Sequence, residues 1–197
     1  MSGSVVARVD VPGPVRSMAT GDGSLWTVTE GGVLARVDPD LQHVKVWQTS
    51  ATAAGALVPE AGYVWICDCD HGRIVQFDPR RGRESRVLEL PEHGLIVSVA
   101  APTTDTVWVL DPQGSTLTQL DPKTGKADQP IGLGDNLVQA TIAFGSIWIA
   151  AGADVYQVDL NTLHKTTIPI PDPAYAGSIT ADPGSRTIWV ANCGCPR

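Results

Sequence analysis

Short apolar runs, each closed by a polar turn, alternate along the whole chain. Residues 33–37 (Val-Leu-Ala-Arg-Val) and 116–120 (Thr-Leu-Thr-Gln-Leu) alternate with a period near two, which is typical of half-buried β-strands. The 20 Gly and 15 Pro residues punctuate the sequence too often for amphipathic helices of useful length. The pattern therefore predicts an all-β protein made of many short strands.

One motif recurs through the sequence: an apolar run carrying a Trp, a small loop, and a second apolar run ending in Asp. Successive Trp markers lie 39, 43, 40 and 41 residues apart, and four of them are followed by the Asp after 12, 13, 13 and 11 residues. A period near 40 residues built from short strands is the length of one four-stranded propeller blade. A two-sheet sandwich would not explain a regular spacing of about 40 residues between the marker Trp residues. We therefore predict a five-repeat β-propeller of four-stranded antiparallel blades, forming one domain over residues 1–197. The markers are Trp26, Trp65, Trp108, Trp148 and Trp189, and Asp38, Asp78, Asp121 and Asp159.

The fifth repeat has sequence for only two strands before the chain ends. Residues 5–11 precede the first marker Trp by about the distance at which the outer, last strand of a repeat precedes the Trp of the next repeat. We expect the last blade to be irregular or incomplete and to be closed in part by this N-terminal strand. Completion by another chain, which would give self-association, and excision from a longer propeller are the alternatives.

The net charge and the length of the apolar runs argue against two classes of protein, those that bind nucleic acids and those that span a membrane. The net charge of −7 argues against a nucleic-acid groove, which needs a basic surface. No apolar run is long enough for a membrane span, and residues 1–20 lack the basic start and apolar stretch of a signal peptide. These observations leave both a cytoplasmic domain and an extracytoplasmic domain of a larger protein open.

Three segments carry a resemblance to a known group of proteins. They are residues 62–66 (Gly-Tyr-Val-Trp-Ile), 72–79 (Gly-Arg-Ile-Val-Gln-Phe-Asp-Pro) and 121–126 (Asp-Pro-Lys-Thr-Gly-Lys). The sequence resembles the YVTN-repeat (YncE-like) and streptogramin-lyase-like bacterial propellers. The resemblance implies that the loops after the Trp strands lie on the face that carries the site. Those loops are 29–32, 67–72, 111–114, 151–154 and 192–195.

The resemblance is one of scaffold repeats, and propellers host unrelated functions. We favour a non-enzymatic binding or sensing propeller that presents its loop face to a small-molecule ligand or a protein partner, because loops placed by a stiff scaffold carry function. The alternative is a metal-dependent lyase or hydrolase of the streptogramin-lyase or lactonase type. Candidate ligand-binding residues are Glu30, Asp68, Asp70, His71 and Asp154.

The lyase alternative needs His and acidic side chains around a divalent metal on one face. His71 and Glu30 are its candidate catalytic residues. Only one His falls in a matching loop, because the other three lie in outer hairpins or between repeats. The sequence therefore singles out no cofactor and leaves a divalent metal open, either in this alternative or at the cysteine residues.

The four Cys residues form two Cys-x-Cys pairs at similar places in the second and fifth repeats: Cys67 and Cys69, and Cys193 and Cys195. Reduced thiols are the first interpretation. A disulfide between the C-terminal tail and Cys67 or Cys69 comes second. A tetrahedral metal site comes third, since zinc ligands usually have wider spacing.

The recurring Asp residues could be mistaken for calcium ligands. Three precede Pro, and Asp159 leads into Leu-Asn-Thr. In such turns a carboxylate accepts hydrogen bonds from the backbone N–H groups that follow it. We therefore predict turn residues at these positions and interpret the Trp markers as core.

Overall fold

The computed structural model describes residues 8–40, 43–60, 62–90, 98–103, 106–121, 123–171 and 175–192. Over these residues it contains eighteen strands and a single short 3-10 turn. The chain divides into two compact units, Met1–His93 and Gly94–Arg197. No helix in the described ranges has the length and apolar character needed to span a membrane.

Unit 1 holds two four-stranded antiparallel sheets, each ordered as in the sequence. A 3-10 turn, Cys69–His71, joins the second and third strands of the second sheet. The first sheet contains β1 (Val15–Gly21), β2 (Ser24–Thr29), β3 (Val33–Val37) and β4 (Val44–Gln48); the second contains β5 (Ala54–Glu60), β6 (Tyr63–Asp68), β7 (Arg73–Asp78) and β8 (Arg83–Glu89).

The core of unit 1 lies between its two sheets. Trp26 from β2 packs with Leu57 from β5 and Phe77 from β7, and all three are buried. Trp47 stacks on Trp26 with 6.1 Å between ring centroids, so this sixth indole also closes the interface. Burial of large apolar side chains between neighbouring sheets is what holds propeller blades together.

Unit 2 holds two four-stranded antiparallel sheets and one two-stranded sheet. The strands are β9 (Ser98–Thr103), β10 (Thr106–Asp111), β11 (Thr116–Leu120) and β12 (Ile131–Gly132); β13 (Leu137–Ala143), β14 (Ser146–Ala151), β15 (Asp154–Asp159) and β16 (Lys165–Pro169); and β17 (Ala176–Asp182) and β18 (Thr187–Asn192).

The core of unit 2 repeats the arrangement seen in unit 1. Trp108 packs in one buried cluster with Ile147 and Ile149 of the next sheet. Trp148 packs against a second cluster that includes Ile179 of β17. In each case the Trp of one sheet meets the strands of the sheet that follows it in sequence.

The predicted all-β propeller architecture is confirmed for the first four repeats, each of which forms a four-stranded antiparallel sheet with its Trp in the second strand. The fifth repeat forms only the β17–β18 hairpin in the described residues. The predicted N-terminal strand is not seen: residues 5–7 lie outside the described part of the chain, and Arg8–Val11 adopt no strand. The irregular closing blade therefore stays a prediction.

The predicted turn chemistry is confirmed at three of the four Asp markers. The Oδ1 atom of Asp78 accepts the N–H groups of Arg80 and Arg81 at 2.9 and 3.1 Å. Asp121 and Asp159 make the equivalent bonds. Asp38 pairs with Arg36, its Oδ1 lying 3.1 Å from Nε, and residues 41 and 42 of its turn lie outside the described part of the chain. The same turn also occurs after Asp111 and Asp182, outside the marker series.

Candidate ligand-binding loop face of unit 1

The turns that follow β2 and β6 lie at the same end of the two packed sheets. Both strands are the second of their sheet, and the two sheets pack with β1 beside β5. Between them runs the linker from β4 to β5. We call these three segments, residues 30–32, 49–53 and 69–72, the loop face of unit 1.

The linker is hydrogen-bonded to the β2–β3 turn. The N–H and the hydroxyl of Thr49 donate to the carbonyl of Gly32 at 2.9 and 2.8 Å. Gly32 has φ +76°, and a Cβ there would lie 2.9 Å from the carbonyl oxygens of Thr49 and Ala51. Glycine is required at this position both for its left-handed backbone and for the close approach of the linker.

Asp68 joins the linker to the β6–β7 turn. Its carboxylate is fully buried, and Oδ1 accepts the Ala53 N–H at 2.8 Å and faces His71 Nδ1 at 2.9 Å. Oδ2 accepts Arg73 Nε at 3.1 Å and also Nη2. The same Nη2 donates to the carbonyl of Ser50 at 3.2 Å. Asp68 thus uses both oxygens within the protein.

Two opposing effects set the ionisation of Asp68. Burial by itself would raise the pKa of this carboxyl. The hydrogen bonds from His71, Arg73 and the Ala53 N–H have the opposite effect. Taken together they are stronger than the effect of burial, so the pKa of Asp68 lies below its ordinary value. Asp68 therefore stays a carboxylate at neutral pH and holds the loop face in one geometry.

Three of the predicted ligand-binding residues are exposed on this face. Asp70 and His71 lie at the tip of the 3-10 turn, and Glu30 lies in the β2–β3 turn. The side chain of His71 is 51% exposed, although its Nδ1 atom faces Asp68. Nε2 is therefore the ring nitrogen directed away from that contact. The loop face therefore exposes two carboxylates and one imidazole on turns whose backbone is held by the hydrogen bonds of Thr49 and Asp68.

Cys67 and Cys69 lie beside Asp68, at the end of β6 and the start of the turn. Both are buried, and their sulfur atoms are 2.6 Å apart. The contact with Cys69 and burial raise the pKa of Cys67, whereas the hydrogen bond from Cys67 lowers the pKa of Cys69. Cys193 and Cys195 lie outside the described residues, so the tail-to-loop disulfide and the four-Cys metal site stay predictions.

Asp154 belongs to unit 2, where it opens β15 and is half-buried. Its neighbour on the same strand is Tyr156, which sequence reasoning missed. Burial raises the pKa of Tyr156, and the charges of Asp154 and Asp135 add to that effect. The ammonium of Lys165 lies 4.8 Å from the Tyr156 ring centroid and donates to the Leu133 carbonyl at 2.6 Å. No sequence period marks this cluster, because Tyr156 occupies an ordinary strand position.

Metal-binding capacity is limited in the described ranges. They contain no group of three or more His, Cys, Asp or Glu side chains arranged to hold an ion. A three-ligand divalent-metal centre of the kind the lyase alternative needs does not fit the loop face as described.

Comparison with known proteins gives the fold. No family profile and no curated protein sequence matches the chain. Virginiamycin B lyase from Staphylococcus aureus superposes with a TM-score of 0.76 at 14% identity, covering 90% of this chain and 63% of the lyase chain. The extracellular domain of the protein BT4673 from B. thetaiotaomicron, described as a hybrid two-component system, gives 0.69 at 18% identity, with 93% of this chain and 28% of that chain covered. The WD40 β-propeller domain of Doa1 gives 0.71 at 12%, with 92% and 61% covered.

These likenesses confirm the expected resemblance at the level of the fold alone: the chain has a β-propeller fold, and virginiamycin B lyase is among the structures that superpose on it. Only one of the three descriptions names an activity, that of the lyase; the other two name an extracellular domain and a WD40 domain. The chain spans less than two thirds of the length of each. Fold likeness at these identities therefore does not transfer an activity.

Proposed function

We propose that the chain is a non-enzymatic binding propeller that recognises its partner through the loop face of unit 1. The observation that carries this proposal is the contrast within one turn between a buried Asp68 and an exposed Asp70 and His71. Asp68 and Arg73 fix the backbone, so the exposed groups are presented without a large ordering cost on binding. Pre-organised loops on a rigid scaffold are the usual site of recognition.

The charge of the face favours a cationic partner. Glu30 and Asp70 are exposed carboxylates, and the whole chain carries a net charge of −7. Complementary charge steers association and fixes register more than it adds affinity. The partner class that fits is a Lys- or Arg-rich peptide segment, either on its own or on the surface of another protein.

Fluorescence anisotropy with a labelled Lys-rich peptide tests this proposal, with a Glu-rich peptide of equal length as the reference. We expect saturable binding of the Lys-rich peptide alone, weakening as salt is added. Glu30→Gln and Asp70→Asn should each weaken binding by a factor of about 1.4 to 5, since an exposed charge pair contributes about 0.2–1 kcal/mol.

The matched control is Asp128→Asn, which removes one exposed charge from unit 2. It should leave the dissociation constant unchanged. Equal losses in all three variants would show that net charge alone attracts the peptide. Equal binding of both peptides would count against the proposal outright.

The lyase alternative is supported only by the fold likeness to virginiamycin B lyase. Its direct test is incubation of the protein with virginiamycin B and a divalent cation, followed by liquid chromatography of the antibiotic. Conversion that is lost in His71→Ala would replace the binding proposal by the lyase one. We expect the antibiotic to be recovered unchanged.

We further infer that the last sheet is an association surface for a second copy. Trp189 is 61% exposed, whereas Trp26, at the same repeat position, is 1% exposed. The fitting partner surface is the first sheet of another copy, where Met18 is 65% exposed. The inference rests on the exposure of an indole at a position that is buried in the first sheet.

Light scattering over a range of protein concentrations tests this inference. A concentration-dependent rise in mass should disappear in both Trp189→Glu and Met18→Glu. Val46→Glu is the control, because Val46 is an exposed apolar residue of β4 outside this position. A constant monomer mass for the unaltered protein would contradict the inference.

A further inference from the structure

Cys67 and Cys69 are held in contact by hydrogen bonds to the residues around them. Asp68, the one residue between them, accepts the Ala53 N–H at 2.8 Å, and the Cys69 N–H donates to the Ala53 carbonyl at 3.1 Å. These two bonds fix the Cys-Asp-Cys backbone against the start of β5. The 2.6 Å between the sulfurs compares with about 2.05 Å in a disulfide. A small approach of the two sulfurs is enough to join them.

The two sulfurs differ in access. Cys67 is fully buried, whereas Cys69 is 8% exposed and lies beneath Gly55, which is itself exposed. A Cβ at position 55 would overlap the Cys69 sulfur, and the Gly55 N–H donates to that sulfur. The Cys69 sulfur thus fills the space beside an exposed backbone position, and Cys69 is the one of the two residues that a reagent from solvent meets first.

We propose that Cys69 and Cys67 form a dithiol site for thiol–disulfide exchange, in which Cys69 is the attacking sulfur, Cys67 is the resolving sulfur, and the substrates are low-molecular-weight disulfides. The site does not depend on the ligand proposed for the loop face. It differs from the predicted tail-to-loop disulfide because both sulfurs belong to one turn of unit 1.

The exchange balances in two steps. The Cys69 thiolate attacks one sulfur of the small disulfide, forms a mixed disulfide and releases one thiolate. The Cys67 sulfur then attacks the Cys69 sulfur, the bond to the small molecule breaks, and the second thiolate leaves with the proton that Cys67 gives up. Two protein thiols are oxidised to one disulfide, and one small disulfide is reduced to two thiols.

Peptide mass mapping of the full chain tests the proposal. The folded, reduced protein is treated with oxidised glutathione, quenched in acid, alkylated and digested with trypsin. Cleavage after Lys45, Arg73 and Arg186 places Cys67 and Cys69 in peptide 46–73, and Cys193 and Cys195 in peptide 187–197. We expect peptide 46–73 to escape alkylation and to lose the mass of two hydrogens, with both changes reversed by reductant.

Two results would overturn the proposal. One is complete alkylation of both Cys residues in peptide 46–73 after oxidation. The other is a cross-linked species that joins peptides 46–73 and 187–197. A Cys193→Ser/Cys195→Ser double variant should still form the disulfide in peptide 46–73, and loss of it there would also count against a local site.

Single variants assign the two roles. Cys67→Ser should stop the reaction at the mixed disulfide, so that a glutathione adduct accumulates on Cys69. Cys69→Ser should give no adduct, because the Cys67 sulfur is buried. An adduct that forms on Cys67 at the same rate as on Cys69 would remove the assignment. Far-ultraviolet circular dichroism confirms that each variant is folded before the assay.

Discussion

Trp26 in unit 1 and Trp189 in unit 2 occupy the same repeat position, but their environments are opposite. Both lie in the second strand of a sheet and pair with the first strand at the same register, Trp26 with Ala19 and Trp189 with Thr180. Trp26 is 1% exposed because β5 and β7 of the next sheet cover it, whereas Trp189 is 61% exposed. The repeat motif therefore places a Trp side chain on one face of the sheet, and that side chain is buried where another sheet packs against this face.

The first strands show the complementary half of this rule. Leu57 in β5 and Ile179 in β17 face, across their hairpins, the residue that follows the marker Trp, and both are buried. Each packs in a cluster with the Trp of the preceding sheet. Met18 holds the same register position in β1 and is 65% exposed. A blade face is thus completed by its neighbour rather than by its own sequence.

Truncating the two indoles gives the largest expected difference. Trp26→Ala should lower the free energy of unfolding by about 3–5 kcal/mol, because it removes a fully buried aromatic side chain. Trp189→Ala should cost under about 1 kcal/mol, since most of its side chain is already in solvent. Urea unfolding followed by far-ultraviolet circular dichroism measures both. Equal losses would show that Trp189 is covered in solution.

In unit 1 the linker between the two sheets is hydrogen-bonded to the β6–β7 turn, and Asp68 makes the central contact between them. Asp68→Ala should lower the free energy of unfolding by about 2–4 kcal/mol, because it leaves Arg73 and the Ala53 N–H without their acceptor. Thr29→Ala is the matched control at the same register position of the first sheet, where the hydroxyl accepts the Val33 N–H at 3.0 Å. That change should cost about 1 kcal/mol. A smaller loss for Asp68 than for Thr29 would contradict this role of Asp68.

The contribution of Asp68 should also depend on pH. Its pKa is lowered below the ordinary value of 3.8, so its stabilisation is complete above that value and is lost as pH falls through the lower, folded-state pKa. The difference in urea midpoint between the unaltered protein and Asp68→Ala should therefore shrink as pH falls from about 5 to about 3. A difference that stays constant over this range would mean that the charge of Asp68 does not matter.

The scaffold was predictable because its signals are local and repeated. The Trp phase gave the four four-stranded sheets, and the Asp turns gave the third-to-fourth strand hairpins at Asp78, Asp121 and Asp159. These depend on a strand period of two and on a carboxylate that bonds to its own turn. Neither requires knowledge of what packs beyond the neighbouring strand.

The site was predictable only as a set of loops. Sequence reasoning treated Asp68, Asp70 and His71 as equivalent polar residues, whereas Asp68 is buried and bonded on both oxygens and the other two are exposed. That distinction depends on the linker at Ala53 and Ser50, which contacts the turn from far away in the sequence. The need for glycine at position 55 beside Cys69 is non-local in the same way.

The smallest expected difference in the free energy of unfolding concerns the indole N–H groups of Trp26 and Trp65, the marker Trp residues of unit 1. Trp26 Nε1 donates to the carbonyl of Gly21 at 3.3 Å, and Trp148 makes the same five-residue contact to Ala143 at 3.1 Å in unit 2. Trp65 Nε1 is buried and has no hydrogen-bond partner in the described part of the chain. Trp26→Phe loses a hydrogen bond along with volume, whereas Trp65→Phe loses volume and relieves a buried donor.

Trp26→Phe should therefore lower the free energy of unfolding by about 1 kcal/mol more than Trp65→Phe, the typical net contribution of one hydrogen bond. Urea unfolding of the two variants under identical conditions measures the difference. Trp148→Phe should behave like Trp26→Phe, since its donor is also satisfied. If Trp65→Phe were the more damaging of the pair, the indole of the second sheet would have to donate to a group outside the described residues. The marker Trp would then be a hydrogen-bonded element in all three sheets.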